Sequence, residues 1–139
     1  MSGSLLEVKG IDVYYGASQI LFDLDLSVER GQTMALLGRN GAGKSTTFNA
    51  IAGIAPPRRG EIRFGETRLD GRKPYRIARA GIGYVPEDRQ VFPEHSVEDN
   101  LLTEAFTRRD SASAVRDDLD LVYDYFPRLK VRRSSQAGY

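Results

Sequence analysis

Gly38-Arg39-Asn40-Gly41-Ala42-Gly43-Lys44-Ser45 is the stretch of this sequence whose residue types and spacing most directly imply chemistry. It fits the pattern G-x-x-x-x-G-K-[ST], in which a glycine-rich loop curls its backbone amides around phosphate oxygens. The glycines permit the curl, Lys44 offers a mobile ammonium to the β and γ phosphates of a nucleoside triphosphate, and Ser45 offers a hydroxyl to Mg²⁺. The bland alternative is a glycine turn before a helix, but such a turn has no need for Lys followed by Ser at the helix start. The flanking elements suit the phosphate reading. Thr33-Met34-Ala35-Leu36-Leu37 is a short continuous apolar run, expected of a central parallel strand covered on both faces. From Lys44 to about Ala52 the sequence reads as a helix opening on Ser45 and Thr46. Strand, glycine loop and helix then bring the loop amides and the positive end of the helix to one anion.

Other candidates are weaker. Tyr15-Gly16 ends the first β segment; a tyrosine face could stack on a base, although spacing alone favours an ordinary strand aromatic in a β core. The single histidine, His95, excludes a multi-histidine metal site, and its Pro- and Glu-flanked loop is a poor place for a catalytic triad. The absence of cysteine excludes disulfides, thiolate metal sites and a cysteine nucleophile, and fits a reducing compartment. Lys and Arg number 20 against 19 Asp and Glu, a net charge of +1, so no global field selects nucleic acid or an anionic membrane. The stretch from Arg58 to Arg79 carries a local excess of basic residues with few aromatics between them, and is expected to be a solvated or partner-facing surface. The smaller cluster of Arg128, Lys130, Arg132 and Arg133 reads the same way.

With 139 residues, 40% hydrophobic and 28% charged, the chain suits one water-soluble domain or part of one. It has no run of 18 apolar residues and no secretory pattern at its N-terminus, so no membrane insertion is expected. Between Ile20 and Val28 the residues alternate, with Phe22, Leu24, Leu26 and Val28 on one face and Asp23, Asp25 and Ser27 on the other, as in a half-buried antiparallel strand. Upstream, Leu6 and Val8 alternate with charged residues, the phase slips at Gly10, and Ile11, Val13 and Tyr15 resume it, which predicts a bulge. Ile62 and Phe64 mark another short strand, and a helix is expected from Pro74, carrying Ile77 and Ala78. Ile82-Gly83-Tyr84-Val85 reads as a second buried strand ending at Pro86. Ser96-Val97-Glu98-Asp99 has the form of a capping box that opens a helix, and Val115, Leu119, Val122, Tyr123 and Phe126 recur at helical spacing up to Pro127.

Taken together, these residues resemble the ATP-binding subunit of an ABC transporter. The resemblance runs over nearly the whole chain, from Tyr15-Gly16 through Gly38 to Ser45, then Gly81-Ile82-Gly83-Tyr84-Val85-Pro86-Glu87, Phe92-Pro93, Val97 and Asn100-Leu101. Within that superfamily it is most similar to the subunits of branched-chain (hydrophobic) amino acid importers. Tyr14-Tyr15-Gly16-Ala17, the Gly-Arg-Asn-Gly-Ala-Gly-Lys form of the P-loop, and the Val-Pro-Glu run with Arg89 and Val91-Phe92-Pro93 carry that likeness. The resemblance implies an α/β P-loop NTPase: an antiparallel β subdomain, a parallel core sheet and the start of a helical subdomain. The expected division is an ATP-binding core over residues 1–96 and the beginning of the helical subdomain over 97–139.

The resemblance also implies site residues. Tyr15 becomes the adenine-stacking aromatic; Gly38, Arg39, Asn40, Gly41, Ala42, Gly43, Lys44, Ser45 and Thr46 hold ATP; Ser45 and Glu87 approach Mg²⁺. Glu87 stands where most of the superfamily has the Q-loop glutamine, and there it agrees with the branched-chain subgroup. His95 and Ser96 replace the more usual Leu and Thr. A complete member continues into a Leu-Ser-Gly-Gly signature, a Walker B aspartate with its catalytic glutamate, and a switch histidine. None of these occurs here, so no catalytic residue is assigned and the chain is expected to be an N-terminal portion. The implied partners are a second ATP-binding subunit, identical or not, and membrane permease subunits, which would place the chain in the cytoplasm at the inner face of the plasma membrane. Two other readings stay open: a nucleotide-binding module that does not hydrolyse, and a soluble ABC ATPase acting on nucleic acid or ribosomes.

Overall fold

The computed structural model describes residues 3–88, 90–106 and 108–139, so Arg89 lies outside the described residues. The chain divides into two compact units, Met1–Tyr84 and Val85–Tyr139.

The first unit is built on a four-stranded antiparallel sheet in the order β2-β1-β3-β4. Its strands are β1 (Leu6–Tyr15), β2 (Ser18–Val28), β3 (Arg59–Phe64) and β4 (Thr67–Arg68). Two helices accompany it, α1 (Lys44–Ile51) and α2 (Pro74–Ala80). Val8, Ile11 and Val13 of β1, Leu21 of β2 and Ile62 of β3 form the sheet side of the core, and Ala50, Ile51 and Ile77 form the helix side. Each fully buried Val, Leu or Ile contributes roughly 1.5–3 kcal/mol. Gly60 is required by a close approach: at φ +86, a Cβ there would stand 2.4 Å from the carbonyl oxygens of both Lys9 and Gly10.

The phase slip at Gly10 is real, and a second, opposite slip corrects the reading of β2. Val8 pairs with Leu26 but Ile11 with Leu24, which puts an extra residue in β1; Ile11 then pairs with Leu24 but Val13 with Leu21, which puts one in β2. Each bulge frees an amide that a carboxylate collects. The Gly10 amide donates to Asp25 Oδ1 at 2.6 Å, and the Asp23 amide donates to Asp12 Oδ1 at 2.8 Å. Asp23 itself sits at φ +46. In consequence Leu21 is buried and Phe22 is 68% exposed, the reverse of the simple alternation that placed Phe22 with Leu24, Leu26 and Val28.

The two apolar runs expected as parallel strands are irregular here. Residues 32–39 and 82–86 are in no ladder among the described residues, and Leu37 and Val85 are 90% and 92% exposed. The reason is that a strand covered on both faces exists only between neighbours, and no described strand lies alongside either run.

The second unit contains α3 (Val97–Ala105), α4 (Ala112–Tyr125) and α5 (Pro127–Val131). Ser96 caps α3 as its sequence implies: its hydroxyl oxygen accepts from the Asp99 amide at 3.0 Å and its O–H donates to the Asp99 carboxylate at 2.6 Å. The next two amides of the helix, Val97 and Glu98, donate to the carbonyls of Ser135 and Arg133, so the terminal segment completes the cap. Asn100 holds the preceding loop by accepting from the Phe92 amide and donating to the Phe92 and Ser96 carbonyls. The buried Tyr123 of α4 donates its hydroxyl to Glu98 of α3 at 2.8 Å. Burial first, and the Glu98 carboxylate second, push that hydroxyl up to about 12.

Candidate functional site

The glycine-rich segment ends in a left-handed residue. Gly43 precedes α1 at φ +90, and a Cβ there would stand 2.6 Å from Leu21 Cδ2, so only glycine fits between the helix start and β2. Thr47, itself buried, fixes the junction by donating both its amide and its hydroxyl to the Gly43 carbonyl at 2.9 Å. The Ala42 amide donates to the Arg39 carbonyl at 3.1 Å, which makes the turn of the loop.

Lys44 reaches back over that turn. Its Nζ donates to the Gly38 carbonyl at 2.7 Å and to the Arg39 carbonyl at 2.8 Å. Among the described residues no side chain caps the start of α1 and no acid lies in its first turn. Free helix amides, an ammonium and the exposed Ser45 hydroxyl make a donor set that suits an anion such as a polyphosphate and opposes a cation. Gly38, Arg39, Asn40, Gly41 and Ala42 are all exposed, so the loop is open to solvent along its length, whereas Thr46 is buried.

Tyr15 stands at the end of β1, 48% exposed rather than packed in the core. Sequence reasoning did not foresee its surroundings. Asn49 of α1 donates through Nδ2 to the Tyr15 hydroxyl at 3.3 Å, and the Tyr84 hydroxyl donates to Asn49 Oδ1 at 2.9 Å. Arg58, the first of the basic stretch, donates to the Gly16 carbonyl at 2.7 Å and lies 4.4 Å from the Tyr14 ring centroid, fastening the turn that carries Tyr15. Others of that stretch meet acids: Arg63 with Glu61, and Arg68 with Glu61 and Asp70. No pattern in the sequence joins Tyr15, Asn49 and Tyr84, because they lie in β1, in α1 and in the irregular segment after α2.

Glu87 falls in the second unit, exposed in the irregular segment ahead of α3, while Ser45 belongs to the first. Among the described residues no three His, Asp or Glu side chains gather into a metal cluster, and no helix is long and apolar enough to cross a membrane.

A family profile described as ABC transporter matches residues 21–136, and the chain belongs to that family, with the P-loop NTPase fold of its ATP-binding domain. The high-affinity branched-chain amino acid transport ATP-binding protein BraG of Pseudomonas aeruginosa is 37% identical over 135 residues, 96% of this chain and 57% of BraG. The lipopolysaccharide export system ATP-binding protein LptB of Escherichia coli is 35% identical over 113 residues, 81% of this chain and 47% of LptB. A solved structure described as the ATP binding subunit of an ABC transporter superposes with a TM-score of 0.84 at 38% identity, covering 96% of this chain and 54% of that one. The chain thus spans about half the length of these relatives.

Proposed function

We propose that this chain binds Mg²⁺·ATP as the ATP-binding subunit of an importer for branched-chain amino acids or related compounds. The observation that carries the substrate class is coverage: the relatives named for branched-chain amino acid transport align over 96% of this chain, against 81% for LptB and 78% for the ribose import protein RbsA 2 of Rhizobium etli. The bound nucleotide supplies a phosphoanhydride bond whose cleavage can drive transport.

The protein's own residues bind and orient. The amides of Gly38, Arg39, Asn40, Gly41, Ala42 and Gly43, with those of Lys44, Ser45 and Thr46 at the start of α1, would cradle the phosphates. Lys44 would exchange the Gly38 and Arg39 carbonyls for phosphate oxygens, a stronger, charge-assisted pairing. Ser45 would supply an oxygen ligand to the metal, and Tyr15 would stack on the base. Residues 1–96 serve in this reading as the nucleotide-binding core and 97–139 as the start of a helical subdomain. Permease subunits and a second ATP-binding subunit would hold the protein at the cytoplasmic face of the membrane.

Two measurements test this. Calorimetric titration with Mg²⁺·ATP should show binding that Lys44→Ala weakens about a hundredfold; equal binding by the variant would overturn the nucleotide site. Deleting the gene in its host should abolish uptake of labelled leucine, isoleucine or valine; unchanged uptake of all three would overturn the substrate class.

A further inference from the structure

We infer that Asn49 is the positioning residue for Tyr15 and so sets how well this site distinguishes a nucleotide from a bare polyphosphate. The inference rests on the reading of Tyr15 as the base-stacking residue. Its own evidence is the three-residue chain of hydrogen bonds, Tyr84 hydroxyl to Asn49 Oδ1 at 2.9 Å and Asn49 Nδ2 to Tyr15 hydroxyl at 3.3 Å.

Tyr15 closes β1 beside the turn at Gly16 and is 48% exposed, so packing alone leaves its ring free to swing. A stacking platform that must be ordered on binding costs conformational entropy, whereas one held beforehand does not. Asn49 supplies the hold. It projects from α1, the helix whose first residues are Lys44 and Ser45, so the ring and the phosphate loop are referred to one rigid element. The Asn49 side chain is oriented in turn. Its carbonyl end receives the Tyr84 hydroxyl, and its NH₂ end is directed to the Tyr15 hydroxyl. Its backbone is fixed as well, because the Asn49 carbonyl accepts the amides of Ile54 and Ala55 at the end of the helix. The arrangement therefore runs from Tyr84, through Asn49, to the ring of Tyr15, within the first unit.

The consequence is specific to the base. Tripolyphosphate engages the glycine loop and Lys44 but not Tyr15, so changes at Asn49 should leave its binding alone. The test is calorimetric titration of the protein with Mg²⁺·ATP and with Mg²⁺·tripolyphosphate, comparing wild type, Asn49→Ala, Asn49→Asp, Tyr15→Phe, Tyr15→Ala and the double variant Tyr15→Phe/Asn49→Ala. Asn49→Ala should weaken ATP binding about fivefold, the value of one hydrogen bond, and leave tripolyphosphate unchanged. Asn49→Asp can still accept from both tyrosine hydroxyls and should stay within about twofold of wild type. Tyr15→Phe keeps the ring and loses only the hydroxyl, so it should match Asn49→Ala, and the double variant should lose no more than either single one. Additive losses, or equal weakening of ATP and tripolyphosphate, would overturn the role of Asn49. Tyr15→Ala separates the two readings: if it lowers ATP affinity while Asn49→Ala does not, the platform stands and the positioning residue fails. If wild type binds ATP no tighter than tripolyphosphate, or Tyr15→Ala changes nothing, both fall.

Discussion

Lys44 closes the glycine-rich loop on its own beginning: its Nζ bonds the carbonyl oxygens of Gly38 and Arg39 at 2.7 and 2.8 Å, the two residues that open the motif. One side chain therefore both shapes the loop and carries its charge. Replacing Lys44 with Ala removes both functions, and with charge-assisted hydrogen bonds at about 1.5–3 kcal/mol the affinity for Mg²⁺·ATP should fall by about a hundredfold. Differential scanning fluorimetry checks this, since wild type should melt higher with millimolar ATP and Lys44→Ala should show a smaller shift.

Gly43→Ala tests the junction between loop and sheet. The new methyl group would lie 2.6 Å from Leu21 Cδ2 on a residue held at φ +90, so both overlap and backbone strain oppose it. A loss of about 1–3 kcal/mol in urea unfolding is expected. Adding Leu21→Ala should relieve the overlap, making the double variant less destabilised than the sum of the two single ones.

Asp70 gives the first unit an acid limb. Burial works to raise its carboxyl, but the hydrogen bonds from Arg68 and from the Ile62 amide outweigh that and hold it below the usual carboxylate range. A carboxyl whose pKa is lower folded than unfolded contributes stability that is complete above its unfolded pKa, about 4, and is lost as pH falls through the folded value. Asp70→Asn should cost about 1 kcal/mol at pH 7 and flatten the decline below pH 4, read from urea midpoints at pH 7 and pH 3.

Tyr123 gives the second unit an alkaline limb of opposite sign. Its hydroxyl is raised to about 12 by burial and by Glu98, whereas an unfolded tyrosine ionises near pH 10. Between those values the unfolded chain loses the proton first, so stability is intact below about pH 10 and is lost as pH climbs toward 12. Tyr123→Phe should be less stable than wild type at pH 7, and the difference should shrink across that alkaline window, as followed by circular dichroism in urea.

What the sequence made legible was local. The glycine loop, the capping box at Ser96 and the slip at Gly10 are each written in a few adjacent residues, and each appears in the structure. Strand phase failed at Phe22 because the bulge at Asp23 depends on pairing with β1, which alternation within one strand does not report. The runs at Thr33 and Ile82 failed for a related reason: apolar composition describes a strand's readiness to be covered, and pairing needs neighbours that no single segment contains. The Tyr15, Asn49 and Tyr84 chain was invisible because its members meet only after the sheet and α1 have packed.

The bulge in β2 reaches further than the sheet. Leu21 faces inward beneath Gly43 only because an additional residue is accommodated between it and Leu24. Lengthening β2 by one residue at Asp23, with the single-residue bulge kept, would set Phe22 opposite Val13 and beneath the loop and turn Leu21 to the solvent side, while leaving every residue from Gly38 to Ser45 untouched. The phosphate loop is thus sensitive to length in a strand that never meets its ligand, so a survey of this family by motif alone would score such an insertion as intact.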